Sequence, residues 1–417
     1  MNQHDFDERG LIPNRPPVFT KPDTRPPSLL ETMIKALRED EHLTQEEWAD
    51  ALREVPRHVF VPDRAWRRPP DGGNGHAIDR RNDPLGWMAA VYSGDVIVTQ
   101  INDGHGDLTS GEGRVTSSLS RVTSVLNMLQ RLHPYDGDQV LEVGTGVGYT
   151  TGLLSHRLGC GNVTSAEVDE SLSKQAAANL ARFGYTPHLI VGDGASGCPE
   201  RAPYDRVHVT CGVTTIPYAW VEQTRPGGVI VLPWMADWVG GHTVTLTVQQ
   251  DRTAIGRFVD STEYMMMRSQ RPQPADLTRL NGTCGQEEAS VDPRRIVFAG
   301  WGADVAIAGL LPGVSGTYET HDNGRHFRLL AWTSDSQLTV EYGPDFNRPR
   351  VRQQGRRDLG REIQEAFFTW VGYGQPTRDR FGITVTSDGT QIWLDRPDRV
   401  LTPLTSRATP GPRRDVQ

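Results

Sequence analysis

LEVGTGVGYT, residues 141–150, ends a short apolar run and leads into TTGLLSHRL, which has the make-up of a helix. A glycine loop gains meaning from that setting, after a strand and before a helix. Gly144, Gly146 and Gly148 allow a tight turn and let backbone approach a ligand without a Cβ in the way. The helix that follows presents free N–H groups at its start, where a carboxylate or phosphate can bind. Taken alone, G-x-G-x-G does not separate one nucleotide-like ligand from another, and a plain tight turn produces it too.

On either side, residues 139–249 alternate short Val/Leu/Ile runs with helical stretches. QVLEVG, NVTSAEV, PHLIVGDG, DRVHVTCG and GGVIVLPW read as strands; TTGLLSHRL, SLSKQAAANLARFG and IPYAWVEQT read as helices. This is the βαβ pattern of a buried parallel sheet. HTVTLTVQQ and AIGRFVDS add antiparallel strands at its end. Glu142 stands two residues before the first glycine, Glu167 ends the second strand, and Asp193 ends the third within GDG (192–194). Acids at the carboxyl ends of successive strands converge on one crevice. Glu142 suits the cationic S-adenosylmethionine (SAM) and would repel a dinucleotide pyrophosphate. Glu167 stands where an acid accepts from ribose hydroxyls, and Asp193 where the adenine amine is read.

The chain of 417 residues exceeds one small domain. Its 36% hydrophobic and 23% charged content fits a globular protein with a real core. LLETMIKALRED (29–40) has helical spacing, and Thr44 with Glu47 forms a capping box for a second helix. RRPPDGGNGHAIDRRNDP (67–84) reads as loop, AVYSGDVIVTQIN (90–102) as strand, and RVTSVLNMLQRLH (121–133) as an amphipathic helix. RSQRPQPAD (268–276) marks a boundary. QEAFFTWVGYG (364–374) is then a helix, and FGITVTSDGTQIWLD (381–395) a hairpin with a type I′ signal at Asp388-Gly389. The domains expected are an arm over 1–28, a helical substrate cap over 29–135, a donor-binding core over 136–267, a smaller α+β peptide-recognition domain over 268–402, and a tail over 403–417. Neither a signal peptide nor a membrane-length apolar run is present, so a cytoplasmic protein with no membrane partner is expected. Cys160, Cys198, Cys211 and Cys284 are scattered without a C-x-x-C pair, which predicts reduced thiols and no metal site. The net charge of -8 argues against nucleic acid. The basic run RPRVRQQGRR (348–357) lacks the interleaved aromatics of a single-strand binder.

VPRHVFVP (55–62), LEVGTGVGYTTGLL, GDGASG, APYDRVHVTCGVTTIP (202–217) and RPGGVIVLP (225–233) resemble the protein-L-isoaspartate O-methyltransferases in order and spacing, over roughly 30–260. The resemblance implies an α/β Rossmann-like class I SAM methyltransferase with a mostly parallel seven-stranded sheet. It implies SAM as methyl donor, S-adenosylhomocysteine as product, and a donor site drawn from Glu142, Gly144, Thr145, Gly146, Gly148, Tyr149, Glu167, Val168, Gly192, Asp193, Gly194 and Thr210. The family carries a serine in a T-I-S-x-P segment; here Ser120 falls on that serine, Ser118 on the threonine and Val122 on the proline. Ser120 and Ser118 are thus the candidate catalytic hydroxyls, and Ser120 is equally placed to cap the helix at 121–133. Thr116, Ser117, Val122, Cys211 and Gly212 are implied on the acceptor side.

AVYSGDVIVTQIN, TSSLS (116–120) and the segment from QQGRRDLGREIQEAFFTW to RFGITVTSDGTQIWLD resemble more narrowly the longer actinobacterial members that modify ribosomally made peptides (lanthipeptides, lasso peptides and graspetides). That resemblance implies a cyclised peptide partner whose ordinary aspartate is esterified and then closes to an aspartimide. General repair of isoaspartyl proteins is the alternative. Arg356 and Arg357 are expected to meet an acidic peptide. His156, His188 and His208 lie within strand and helix patterns and read as structural.

Overall fold

The computed structural model describes residues 27–69, 73–236, 238–271, 287–288, 291–322, 324–344 and 349–404. Most of the expected arm and tail, and Cys284, lie outside the described residues. In chain order the first part holds α1 (Pro27–Glu39), α2 (Glu46–Glu54), β1 (Arg64–Arg68), β2 (His76–Asp79), α3 (Pro84–Tyr92), β3 (Val96–Ile101), β4 (Val115–Leu119) and α4 (Val122–Leu132). The middle runs β5 (Val140–Val143), α5 (Tyr149–Leu158), β6 (Val163–Glu167), α6 (Glu170–Ala181), β7 (His188–Val191), β8 (Tyr204–Val209), α7 (Tyr218–Glu222), β9 (Thr224–Trp234), β10 (His242–Val248) and β11 (Ala254–Ser261). There follow β12 (Glu287–Glu288), α8 (Pro293–Val297), α9 (Trp301–Leu310), β13 (Ser315–His321), β14 (His326–Trp332), β15 (Ser336–Tyr342), β16 (Arg350–Gly355), α10 (Leu359–Gly372), β17 (Phe381–Thr386) and β18 (Gly389–Leu394).

The central sheet has nine strands in the order β18-β17-β11-β10-β9-β8-β5-β6-β7. The five strands from β9 to β7 are mutually parallel, and the remaining pairings are antiparallel. The class I α/β methyltransferase fold is therefore present. Its seven strands are extended by the β17–β18 hairpin, which pairs with β11 through Ala254↔Val385 to Arg257↔Gly382. The hairpin turn lacks positive φ at Asp388; Gly389 alone takes it, at 129°, so the turn is not type I′.

The N-terminal cap is less helical than its sequence predicts, since β1 to β4 form an antiparallel sheet in the order β2-β1-β3-β4. Part of the 67–84 loop is strand β2, and residues 90–92, read as strand, end helix α3. Thr44 does not cap α2, whose N-cap is Gln45; the Thr44 hydroxyl instead donates to Gln130 Oε1 at 2.9 Å. Ser120 is not a helix cap either, because the N-cap of α4 is Arg121. The segment TSSLS is strand β4 almost throughout.

One apolar core packs helices α1 to α5 on one face of the central sheet, with Trp48, Phe60, Leu126, Leu129 and Leu153 all buried. A second fills the other face and runs without a break into the C-terminal region, joining Val207, Leu232 and Phe258 to Ile307, Phe327, Trp370 and Phe381. The C-terminal sheet, β12-β16-β15-β14-β13, contributes Phe327, Leu329, Leu338, Val340 and Val351 to that shared core.

Candidate active site

The crevice opens at the carboxyl ends of the parallel strands and spans about 950 Å³, part of it open to solvent. Gly144, Gly146 and Gly148 have φ of 97°, 55° and 91°, conformations that side chains resist. A Cβ on Gly144 would run into the Thr210 hydroxyl. That hydroxyl donates to the Gly144 carbonyl at 2.5 Å and ties β8 to the loop. The Gly146 N–H donates to Glu167 Oε2 at 2.8 Å, and the Asp169 N–H to Glu167 Oε1 at 3.0 Å. Burial raises the Glu167 carboxyl above its usual range, against the pull of those two amides. Asp193 and Gly194 complete this wall with Val143, Thr145, Val168 and Tyr149.

The facing wall is β4 with the residue after it: Thr116, Ser117, Ser118, Leu119 and Ser120 all line the crevice. The Thr116 hydroxyl donates to Gln100 Oε1 at 2.8 Å, and Ser117 Oγ accepts from Thr99 at 2.9 Å. The Ser120 carbonyl accepts from the fully buried Arg57 at 2.8 Å, and the Ser120 side chain stands near the Tyr264 phenol. Burial pushes Tyr264 up to about 12, so its phenol stays protonated. Cys211 also lines the crevice; burial, with Glu167 and Asp193 close by, pushes its thiol up to about 12. A thiol that weakly acidic is no competing nucleophile at neutral pH.

Glu142 is a correction to the sequence reading. Its side chain is fully buried beneath the glycine loop and is absent from the crevice lining. Its Oε2 accepts from Thr151 and from Ser165, the latter at 2.6 Å, and Ser165 shares a 2.6 Å hydrogen bond with Thr145. Glu142 is thus linked to the crevice wall through Ser165 and Thr145. Four further expectations fall outside the lining for local reasons. Gly148 packs against Ala176, Gly192 hydrogen-bonds the Glu167 carbonyl, Val122 is sealed in the core, and Gly212 bridges Met266. Arg356 and Arg357 are away from this crevice at the end of β16, where both backbone amides donate to Ser336 Oγ. Arg357 is moreover paired with Glu362 at 2.5 Å.

Met265, Met266, Met267, Arg268 and Arg271 close the crevice and were not anticipated. The segment follows β11, which runs antiparallel to β10 and so ends at the carboxyl end of β9. Strand order was the one available signal, because the residues themselves follow no motif. The Gly212 N–H donates to the Met265 carbonyl and the Met267 N–H to the Gly212 carbonyl, both at 2.8 Å.

A glycine loop in left-handed backbone, a buried acid ending the second strand, an exposed acid just beyond the third and an apolar floor fit an adenosine sulfonium. Among the described residues, no group of three or more His, Cys, Asp or Glu is arranged to hold a metal ion. Residues 105–270 match the Protein-L-isoaspartate(D-aspartate) O-methyltransferase family. The protein-L-isoaspartate O-methyltransferase of Aeropyrum pernix is 32% identical over 235 residues, 54% of this chain and 76% of its own. That of Opitutus terrae is 33% identical over 204 residues, 49% of this chain and 71% of its own. A solved protein-L-isoaspartate O-methyltransferase is alike in fold, with a TM-score of 0.50 at 19% identity, over 88% of this chain and 100% of that one.

Proposed function

Because this chain belongs to the protein-L-isoaspartate O-methyltransferase family, we propose that its crevice transfers a methyl group from SAM to a peptide carboxylate. The observation that carries the reading is the shared cavity: the glycine loop, Glu167 and Asp193 face the hydroxyls of Thr116 to Ser120 across one space. The donor supplies a methyl made electrophilic by its sulfonium. Glu167 binds the ribose hydroxyls, Asp193 reads the adenine amine, and the glycine loop receives the amino-acid end. Hydroxyls on β4 orient the acceptor carboxylate, which is already ionised at neutral pH, so no general base is required. Rate arises from holding nucleophile and methyl in line at about 3–3.5 Å with water excluded. Once the ester forms, the next residue's amide nitrogen attacks its carbonyl. The C–N bond closes a succinimide, the bond to methoxide breaks, and methanol leaves with the amide proton.

The relatives' names favour an isoaspartyl α-carboxylate as acceptor. A second reading is an ordinary aspartate in a cyclised ribosomal peptide, with the succinimide or isoaspartate as product. It is supported by Val122 in place of the family proline and by the C-terminal sheet, which lies past the family match ending at residue 270. Catalysis in the cytoplasm accords with free Cys160, Cys198 and Cys211. Among the described residues no helix is long and apolar enough to cross a membrane.

Mass spectrometry decides between the acceptors. The purified chain and SAM are offered an isoaspartyl peptide and a cyclised aspartyl peptide; the substrate gains one methyl and then loses methanol. Labelling of neither, by a chain that binds no S-adenosylhomocysteine, overturns the assignment.

A further inference from the structure

Two guanidinium groups stand in the crevice wall beyond anything the methyl transfer above employs. Arg271 Nη1 donates to both oxygens of Asp103, at 3.0 and 2.9 Å. Arg268 Nη2 donates to Asp169 Oδ2 at 2.8 Å, and its Nε lies 3.2 Å from Asp103 Oδ1. Each arginine is therefore gripped from behind by an aspartate, and both line the crevice. A guanidinium carries five donors in a fixed fork. No hydrogen bond among the described residues takes Arg271 Nε or Nη2, or Arg268 Nη1. Asn102 and Asp103 are successive non-glycine residues with φ of 48° and 54°, a left-handed turn that Asn and Asp adopt more readily than other side chains. The turn is pinned by Asn102, whose N–H donates to the Arg114 carbonyl at 2.7 Å and whose Oδ1 accepts from the Arg114 N–H at 2.8 Å. Asp103 is thereby aimed at the arginines.

We propose that Arg268 and Arg271 form a subsite for a non-reacting carboxylate, resting on the methyl-transfer reading above. Their two charges are balanced by Asp103 and Asp169, so the pair is held at fixed geometry before any ligand arrives. Donors without a partner among the described residues, on side chains that line the crevice, then recognise planar carboxylate oxygens two at a time. The carboxylate they take is not the methyl acceptor. A guanidinium fork on the nucleophile would draw off the charge that attacks, whereas the neutral hydroxyls of β4 do not. Two ligands carry such a group: the amino-acid end of the donor, and an acidic peptide bearing a second carboxylate near the acceptor.

Calorimetry with S-adenosylhomocysteine and with 5′-methylthioadenosine, which lacks the amino-acid end, separates these sources. If the donor's carboxylate is the ligand, Arg268→Gln and Arg271→Gln weaken S-adenosylhomocysteine by about tenfold or more, the scale of a charge-assisted hydrogen bond, and leave 5′-methylthioadenosine unchanged. If the peptide's is, KM for an acidic peptide rises by a similar factor while both nucleosides bind as before. Arg268→Lys and Arg271→Lys keep the charge and the pairing to Asp103 and Asp169, and serve where a glutamine variant fails to fold; they should show the same selective loss in weaker form. No change in either measurement, or equal loss of both nucleosides, overturns the subsite. A wild-type chain that binds neither nucleoside sinks the donor reading itself.

Discussion

Ser118 and Ser120 reach the same crevice but are held differently. The Ser120 carbonyl is held by Arg57 and its side chain stands beside the Tyr264 phenol, whereas the Ser118 hydroxyl has no partner among the described residues. A hydroxyl without an internal partner is the freer one to donate to an incoming carboxylate. Ser118→Ala should then lower kcat about tenfold, the worth of one hydrogen bond to a charged group, with S-adenosylhomocysteine affinity intact. Ser120→Ala should cost less in kcat, and initial rates on an isoaspartyl peptide compare the two. Equal losses would reject this division of labour. If Glu167 binds the donor's ribose as proposed, it should carry the pH dependence of donor binding. Its carboxyl is raised above 4.5 by burial, and only the ionised form offers every oxygen lone pair to the ribose. Affinity is therefore full above the raised pKa and declines as pH falls through it. Calorimetry across that window should show the decline in the wild type, with weaker and flatter binding in Glu167→Gln.

The strand, glycine loop and helix at 140–158 are readable from sequence because every cue there is local: period, glycine spacing and a single βα turn. Elements fixed by distant partners are not. RAWRR (64–68) carries three arginines in five residues, yet it becomes β1 because β2 and β3 flank it. PLGWMAAVY (84–92) is apolar all round, so its period is ambiguous; the Asp83-Pro84 start was the usable sign, and Asp83 indeed caps α3 through the Gly86 N–H at 2.9 Å. The hairpin β17–β18 was recognisable as a pair but not as part of the central sheet, since β11 lies more than a hundred residues earlier. Glu142 was misplaced because nearness in sequence to the glycine loop does not fix which way a strand side chain turns: Glu142 is buried while its neighbour Val143 lines the crevice. The joint between α9 and β10 is equally non-local. Asp304 Oδ2 accepts from His242 Nε2 at 2.8 Å, and the ring is wholly buried among Trp234, Phe258 and Trp301. Removing one member of a buried pair costs about 3–5 kcal/mol, so Asp304→Ala should lower Tm by several degrees in differential scanning calorimetry. A melt unchanged from wild type would show that the pair does not hold α9 in place.

Two physical facts make the chain one cooperative body despite its composite sequence. The apolar core on the far face of the central sheet is continuous with the C-terminal region, and β17 hydrogen-bonds along β11. Val244, Leu246 and Phe258 are buried beside Ile307, Phe381 and Ile383, so severing the chain after Met267 would strip cover from residues that are now at most 1% exposed. Each large side chain returned to water forfeits about 1.5–3 kcal/mol, and domains hold only about 5–15 kcal/mol in reserve. The open edge of β11 would also invite pairing with other chains. The intact chain should accordingly unfold in a single calorimetric transition. A chain ending at Met267 should lose near-ultraviolet circular dichroism, bind a hydrophobic dye and aggregate, even though it retains the whole glycine loop, Glu167, Asp193 and the serine wall. If that shortened chain instead folds and binds S-adenosylhomocysteine, the C-terminal region is a separable module, and its role in the crevice reduces to whatever it presents to the substrate.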